Sequence, residues 1–346
     1  MSRVTRRNFA IGAALALGGF TVREPASAMS RVSTRDHRGS RRLDVASPGG
    51  RGGAISRIAG SHGTTLFELD ALLDGESGVY GVMVVDQQGL LRYSRNARLP
   101  FISASLYKLV LCADILRQVE AEALRASDLL PLRSAYFIES QMPDGGYDYD
   151  AIDSEITLSE ALWATICVSS NVSAMALLAL TSPEQMNRLG LELGLSTTIF
   201  ASDLWQLSFW PPVSAESTDD LALSVRLIEE ASGQWQVNLT SPADITHFMQ
   251  HVMQGTLVSR FVSLELRTLL FDQQINDRMP ALLPDGTSTA HKTGNLLSIV
   301  HDAGAIITEQ GPVLLSMLSQ GVQDEHHTTR LLQSIAAMVF AEFGHS

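Results

Sequence analysis

The sequence predicts an α+β fold in which one antiparallel sheet is assembled from both ends of the chain. Alternating apolar residues and turn signals predict two early strands, over residues 79–85 and 90–94. Three more strands are predicted near the end of the chain, over residues 288–293, 300–308 and 313–319. Between these two groups apolar residues recur at helical spacing, so the sheet is expected to pack against a helical block.

Each helix is predicted from its apolar periodicity and from the residues that flank it. One apolar face runs through residues 64–74 and another through residues 105–124. A third helical pattern begins after Thr157, with Ser and Glu in its first turn, and is expected to break near Ser169. The other helices are predicted over residues 183–193, 219–231, 242–254, 263–271 and 328–343, and turns over residues 295–298 and 309–312.

The first 28 residues have the features of an export signal. The pair Arg6-Arg7 precedes an apolar run over residues 10–20, and Ala26-Ser-Ala28 forms a small-residue cleavage pattern. We therefore expect export by the twin-arginine route to the periplasm, the cell envelope or the medium. The alternative is a buried N-terminal helix, which a paired Arg directly before the apolar run fits less well.

Residues 29–63 are rich in Arg, Gly and Ser, and this composition predicts a flexible linker before a folded domain at 64–346. Its positive charge would also let it rest on an anionic envelope. The first 63 residues carry a net charge of +8 and the whole chain −12, so the folded domain carries −20. A domain with this much negative charge repels phosphate backbones, and a nucleic-acid partner is therefore not expected. No later stretch is apolar for long enough to predict a transmembrane helix.

The cysteine and histidine patterns indicate neither a disulfide framework nor a metal centre. Cys112 and Cys167 lie in apolar helical patterns and are predicted to be buried free thiols. His326 and His327 are adjacent on a predicted helix, so their side chains diverge and cannot share a metal ion. No nucleotide-binding or zinc-protease motif is present in the sequence, and no cofactor is expected.

A Ser-x-x-Lys pattern stands at the start of the predicted 105–124 helix. Residues three apart lie on the same helical face, so the Lys108 ammonium can reach the Ser105 hydroxyl. A serine in the first turn also lies where free backbone N–H groups favour developing negative charge. If burial lowers the pKa of the lysine, that lysine can accept the serine proton.

Two further motifs follow in chain order. Ser169-Ser170-Asn171 falls between two apolar helical segments, and Lys292-Thr293-Gly294 ends a predicted strand ahead of a turn. Ser-x-x-Lys, then Ser-x-Asn, then Lys-Thr-Gly, in this order, is the signature of penicillin-recognising serine enzymes. On these motifs the chain resembles the class A β-lactamase family over residues 64–346, and the resemblance implies the β-lactamase/transpeptidase fold.

The resemblance also implies roles for the matching residues. By it, Ser105 is the acylated nucleophile and Lys108 is its proton acceptor or relay. Ser169 would pass a proton to the leaving nitrogen, and Asn171 would hold the substrate amide and orient Lys108.

Substrate-binding positions follow from the same resemblance. Lys292 and Thr293 would bind the substrate carboxylate. The oxyanion hole would be formed by the backbone N–H groups of Ser105 and of Asn295, the residue after Gly294.

The sequence departs from the family at two places. Ser170 stands where the second motif usually has Asp, which removes a carboxylate but no catalytic group. Class A enzymes hydrolyse the acyl-enzyme with a loop glutamate, and the nearest match here, Trp210-Pro211-Pro212, has proline at that point. Glu216, with Asp203 behind it, is the nearest carboxylate that could substitute, although a solvated loop acid is the simpler interpretation.

Three more polar residues lie near the third motif. If residues 295–298 close a hairpin, His291 and His301 are expected roughly opposite one another on adjacent strands. With Asp302 they could tune Lys292, or they could form only a structural pair. A Ser-His-Asp triad is less expected, because Lys108 already supplies a base one turn from Ser105.

The sequence thus predicts an exported serine hydrolase that acts on a small molecule, a β-lactam or a peptidoglycan-like amide or ester. A slow-turnover penicillin-binding D-Ala-D-Ala peptidase or esterase on the same fold is an alternative. A non-catalytic binding module that keeps the pocket is a third. The motif residues argue against the last, whereas Pro211 leaves it open.

Overall fold

The structure, a computed structural model, describes residues 64–140, 146–200, 220, 224, 228 and 237–344. Its strands are β1 (Val79–Val85), β2 (Leu91–Arg95), β3 (Phe101–Ile102), β4 (Leu129–Pro131), β5 (Glu155–Thr157), β6 (Leu239–Thr240), β7 (Thr289–Leu296), β8 (Ile299–Thr308) and β9 (Gly311–Gln320). Its helices are α1 (Thr64–Leu73), α2 (Tyr107–Glu120), α3 (Ser134–Ser140), α4 (Leu158–Cys167), α5 (Asn171–Leu178), α6 (Pro183–Glu192), α7 (Pro242–Gln254), α8 (Arg260–Phe271) and α9 (Glu325–Phe343), with 3₁₀ turns at Ala104–Leu106 and Tyr149–Ala151.

The two ends of the described chain build one antiparallel sheet of five strands. Their spatial order is β2-β1-β9-β8-β7, so the first and last parts of the domain meet where β1 pairs with β9. The register runs from Val79 opposite Gln320 to Val85 opposite Leu314. This confirms the predicted α+β fold with a sheet drawn from both chain ends.

Helices cover both faces of this sheet. On one face α1 and α9 pack through leucines such as Leu69 and Leu332 against Val82 and Leu315. On the other face lies the larger core, which includes residues of α2, α4, α7 and α8. Leu109 of α2 is one of its fully buried side chains. Apolar side chains therefore leave water on both sides of the central strands, which explains why β8 and β9 are buried along most of their length.

The elements missing from the sequence prediction are the short ones. Strands β3 to β6 have two or three residues each, too few to display a period of two. The β7–β8 turn is also tighter than predicted. Strand β7 continues to Leu296 and leaves only Leu297 and Ser298 as the turn, so Asn295 lies in a strand opposite Val300.

Several predictions fall on residues outside the described ranges. These are the export signal at 1–28, the linker at 29–63 and most of the additional helix at 219–231, of which only Asp220, Ser224 and Ile228 are described, each in helical conformation. The division into signal, linker and domain stays a prediction. Among the described residues, no helix combines the length and apolarity that crossing a membrane requires.

Candidate active site

Ser105 lies in the 3₁₀ turn that leads into α2, against the edge strand β7. A Cβ atom added to Gly294 would lie 3.3 Å from the Ser105 backbone nitrogen and 3.2 Å from the Ala104 Cβ atom. Glycine at this position therefore lets the strand approach the turn closely. Ala104 has a φ of +44°, which a non-glycine residue adopts only where its surroundings impose it.

Lys108 lies in the first turn of α2, three residues after Ser105, and its side chain is fully buried. Its Nζ atom donates to the Ser169 carbonyl oxygen at 2.6 Å and to Asn171 Oδ1 at 2.7 Å, and the Ser169 Oγ atom lies 3.4 Å away. A buried ammonium needs such partners, because unpaired burial costs several kcal/mol. The second motif thus holds Lys108 in place.

The second motif forms the break between α4 and α5. Ser169 has a φ of +56°, and its carbonyl and hydroxyl oxygens both lie near Lys108. The next residue, Ser170, is the N-cap of α5, and its hydroxyl accepts from the Ser173 N–H at 3.1 Å. Because Ser and Asp are both strong N-cap residues, Ser170 can do this work without a carboxylate.

Lys292 approaches the same serine from the sheet. Its Nζ atom donates to Ser169 Oγ at 2.8 Å and to the Thr293 carbonyl oxygen at 2.8 Å, and its side chain is fully buried. Burial, followed by the charge of Lys108, holds the pKa of Lys292 well below its usual range, whereas the Asp302 carboxylate opposes this shift.

The three motifs therefore converge on one hydroxyl group, that of Ser169, between two buried lysine side chains. The lysines lie beneath the surface, while Ser105, Ser169, Asn171 and the nearby strand residue Asn295 are partly exposed. Cations held under accessible hydroxyl and amide groups can stabilise a bound anion and move protons between oxygen atoms.

A model of a protein family described as the Beta-lactamase enzyme family matches residues 67–343. The chain belongs to this β-lactamase family. No curated protein sequence matches it significantly.

Solved structures of known proteins share the fold. A β-lactamase from Sphaerobacter thermophilus is 21% identical, with a TM-score of 0.67, and the match covers 81% of this chain and 97% of that one. The protein PBP-A is 19% identical, with a TM-score of 0.66 and coverage of 81% and 95%. The TLA-1 extended-spectrum β-lactamase is 18% identical, with a TM-score of 0.65 and coverage of 81% and 98%. The β-lactamase/transpeptidase fold predicted from the motifs is thereby confirmed.

A third cation near the site of this β-lactamase family member was missed by the sequence analysis. Arg278 is 4% exposed and donates from Nη1 to the His301 carbonyl oxygen at 2.9 Å. Its Nε atom has no hydrogen-bond partner among the described residues and lies 3.6 Å from Asp277 Oδ1. Its charge lowers the pKa of Lys292 further. A lone arginine between helix and strand has no sequence signal that distinguishes it from a surface residue.

The expected pairing of His291 with His301 is wrong. Because the β7–β8 turn is two residues long, His291 lies opposite Gly304, and His301 lies opposite Gly294. His291 instead contacts Asp302, with Nδ1 2.8 Å from Oδ1, and both side chains are fully buried.

This His291–Asp302 pair is tied to the loop before β7. The other Asp302 oxygen accepts from the Met279 N–H at 2.9 Å, and His291 Nε2 lies 3.1 Å from Asn276 Oδ1. The pair therefore ties β7, next to Lys292, to β8, where Asp302 lies opposite Thr293.

His301 connects the turn of Ser105 to the sheet. Its ring is fully buried; Nε2 donates to the Ile102 carbonyl oxygen at 2.8 Å, and Nδ1 accepts from the Ser319 N–H at 3.1 Å. An amide nitrogen can only donate, so this geometry requires an unprotonated Nδ1. Burial accordingly lowers the pKa of His301 to about 4.

The remaining predicted residues are placed as follows. Cys112 and Cys167 are free and buried, as predicted, and burial raises the pKa of the Cys112 thiol to about 12. Within the described ranges, no group of three or more His, Cys, Asp and Glu side chains is arranged around a common metal position. Glu216, Asp203 and Pro211 lie outside the described residues.

His301 should make the stability of the protein depend on pH. Its pKa is about 4 when folded and 6.5 when unfolded, so between these values the unfolded chain binds more protons. Stability should therefore fall as the pH drops from about 6.5 to about 4, by about 3 kcal/mol in total from this group. Urea denaturation of the wild type and of His301→Gln across this range measures the effect.

The variant should show a smaller loss of stability over this pH range, even if it is less stable throughout. His326→Gln removes an exposed histidine and should keep the wild-type dependence. If the free energy of unfolding depended on pH equally in the wild type and in His301→Gln, His301 would not be held neutral by the fold.

Proposed function

We propose that the chain is a serine hydrolase that forms an acyl-enzyme at Ser105 with β-lactams or related amides and esters. The observation that carries this proposal is the position of the Ser169 hydroxyl between the buried Lys108 and Lys292 side chains. Lys108 itself lies one helical turn from Ser105. A purely structural cluster would have no reason to bury two lysines together, since desolvation of an ammonium group and repulsion between two of them both cost free energy.

In the proposed acylation, the Ser105 oxygen attacks the substrate carbonyl and its proton passes to the neutral form of Lys108, because an ammonium group has no lone pair to accept it. The C–O bond forms as the amide C–N bond breaks, and the leaving nitrogen takes a proton from the Ser169 hydroxyl. Ser169 is suited to this step, because it lies within reach of both lysines and can be reprotonated through them. Asn171 holds Lys108 and is partly exposed to contact a substrate amide.

We propose the backbone N–H groups of Ser105 and Asn295 as the oxyanion hole. The close approach of Gly294 to the Ser105 nitrogen supports this assignment, because it keeps the turn and the edge strand side by side. Donors fixed in this way stabilise developing negative charge without reorganising.

The substrate should carry a carboxylate group. Burial and the nearby Lys108 and Arg278 lower the pKa of Lys292. A bound anion would pair with these cations and so stabilise the ammonium form of Lys292. Thr293 adjoins Lys292 and would add a hydroxyl donor. A free carboxylate is present both on β-lactams and at the end of a D-Ala-D-Ala peptide, so this feature suits the leading proposal and its alternative.

Deacylation distinguishes the leading proposal from a slow-turnover penicillin-binding enzyme. One similar solved structure, an L158E variant of PBP-A with a TM-score of 0.65 and 19% identity, is an acyl-enzyme complex with penicillin G. Proline at position 211, where a loop glutamate is usual, removes the expected base. Without general-base catalysis, hydrolysis of the acyl-enzyme should slow by about 10² to 10⁴-fold.

Export by the twin-arginine route also remains our proposal, on the strength of Arg6-Arg7 and the apolar run that follows. An envelope location would bring the enzyme into contact with β-lactams and with peptidoglycan.

Incubation of residues 64–346 with a chromogenic β-lactam tests the proposal, with product release and protein mass followed together. Steady hydrolysis is expected for a β-lactamase. A stoichiometric burst with a persistent mass increase would favour the penicillin-binding enzyme. Ser105→Ala should abolish the adduct in either case, because it removes the attacking oxygen. An adduct that survives in this variant, or the absence of any adduct from the wild type, would contradict acylation at Ser105.

Glu216→Gln examines the nearest carboxylate to Pro211 that could substitute as the base. If Glu216 activates the deacylating water, the variant should accumulate acyl-enzyme while the acylation rate stays unchanged. Pre-steady-state measurement of both rates separates the two steps. Asp203→Asn tests the second candidate in the same way, and Glu184→Gln, at an exposed position on α6, is the matched control. An unchanged deacylation rate in Glu216→Gln would identify Glu216 as a solvated acid.

Lys292→Gln tests the carboxylate site. Loss of a charge-assisted hydrogen bond of about 1.5 to 3 kcal/mol should lower the acylation efficiency about 10 to 150-fold, whereas Thr293→Ala removes a neutral donor and should cost less. Acylation is measured on a β-lactam and on its carboxylate methyl ester. Lys292→Gln should lose much less activity on the ester. Equal losses on both substrates would mean that Lys292 acts through Ser169 alone.

A further inference from the structure

Two histidines lie on one side of α7, away from the three motifs. His247 and His251 are four residues apart, and side chains at this spacing lie above one another on a helix. His247 is exposed and His251 is partly exposed, so solvent can reach the pair. Neither side chain belongs to the core or to the site around Ser105.

The two rings bring their Nε2 atoms close together. These atoms are 3.2 Å apart, and the rings meet edge to face with centroids 4.5 Å apart. A metal ion 2.0 to 2.1 Å from each nitrogen, the usual Zn–N length, would subtend an angle of about 100° at this separation, close to tetrahedral geometry.

A metal-binding histidine usually has its other ring nitrogen held by a hydrogen bond, and the chain supplies one to His251. His251 Nδ1 lies 2.7 Å from Thr256 Oγ1, in the loop after α7. When Nδ1 carries the proton and donates to this hydroxyl, the lone pair of Nε2 is free for a metal.

We propose that His247 and His251 form a chelating site for a divalent transition-metal ion that prefers imidazole ligands, such as Zn²⁺. In the described part of the chain no third His, Cys, Asp or Glu side chain completes the cluster, so water molecules fill the remaining coordination positions. The ion clips two successive turns of α7 together and thereby stabilises the folded protein.

Calorimetric titration of the metal-free full chain with Zn²⁺ tests this site. The wild type should bind an equivalent of Zn²⁺ that His247→Gln and His251→Gln each lose or bind at least tenfold more weakly. His326→Gln is the matched control, because it removes an exposed helical histidine next to His327 and should leave this equivalent intact. Thr256→Val should weaken binding about tenfold, since it removes the hydroxyl that orients His251.

Thermal unfolding with and without Zn²⁺ gives a second measurement. The ion should raise the unfolding midpoint of the wild type and of His326→Gln but not that of His247→Gln. Circular dichroism establishes that the variants fold, which Gln at helical positions should permit. Equal Zn²⁺ affinity in the wild type and His247→Gln, or no Zn²⁺ binding by the wild type, would leave only a hydrogen bond between two imidazoles and overturn the proposal.

Discussion

The burial of two lysine side chains around one serine hydroxyl is the constraint on which the site depends. Each buried ammonium must find acceptors, and Lys108 finds two strong ones in the Ser169 carbonyl and Asn171 Oδ1. Lys292 shares the Ser169 hydroxyl with it. Burial, followed by the charge of Lys108, lowers the pKa of Lys292, and we propose that a bound anion would relieve both effects.

The fold maintains this arrangement by fixing three distant segments against one another. Lys108 and Ser169 are 61 residues apart in sequence, and Ser169 and Lys292 are 123 residues apart. The backbone is held in left-handed conformations at Ala104 and Ser169, each next to or within the site. Such conformations persist only where surrounding packing imposes them, so the core and the site are coupled. His301 contributes to this coupling, because it lies on β8 and joins Ile102, before Ser105, to Ser319 of β9.

The sequence predicted the features that follow from hydrophobic periodicity and motif order. It missed those that depend on the exact length of a turn or on tertiary packing. The five sheet strands and the α4–α5 break at Ser169 follow from periodicity and motif order, and the structure has them. The predicted pairing of His291 with His301 was wrong, because a two-residue turn and a four-residue turn have similar composition but set different registers between β7 and β8. Arg278 could not be found, since its burial arises from tertiary packing alone.

The two departures from the family differ in physical consequence. Ser170 replaces one N-cap residue with another, and the hydroxyl bond to Ser173 shows that the cap is kept. Pro211 removes a carboxylate, and no backbone contact can replace its chemistry.

The segment that contains Pro211 leaves and re-enters the described fold where Ile199 and Leu239 exchange backbone hydrogen bonds of 3.0 and 2.9 Å. The Thr198 and Thr240 hydroxyls, 2.9 Å apart, and the Asp244 carboxylate reinforce this junction. Within this segment Ser224 donates to the Pro100 carbonyl oxygen at 2.8 Å and accepts from Gln320 Nε2 at 2.7 Å, so the segment is also tied to the core near β3 and β9. In the mechanism that we propose, Ser105 and Lys108 would form the acyl-enzyme, whereas the base that this segment presents would set its lifetime. A change in the segment alone would then convert β-lactam hydrolysis into penicillin binding on the same fold.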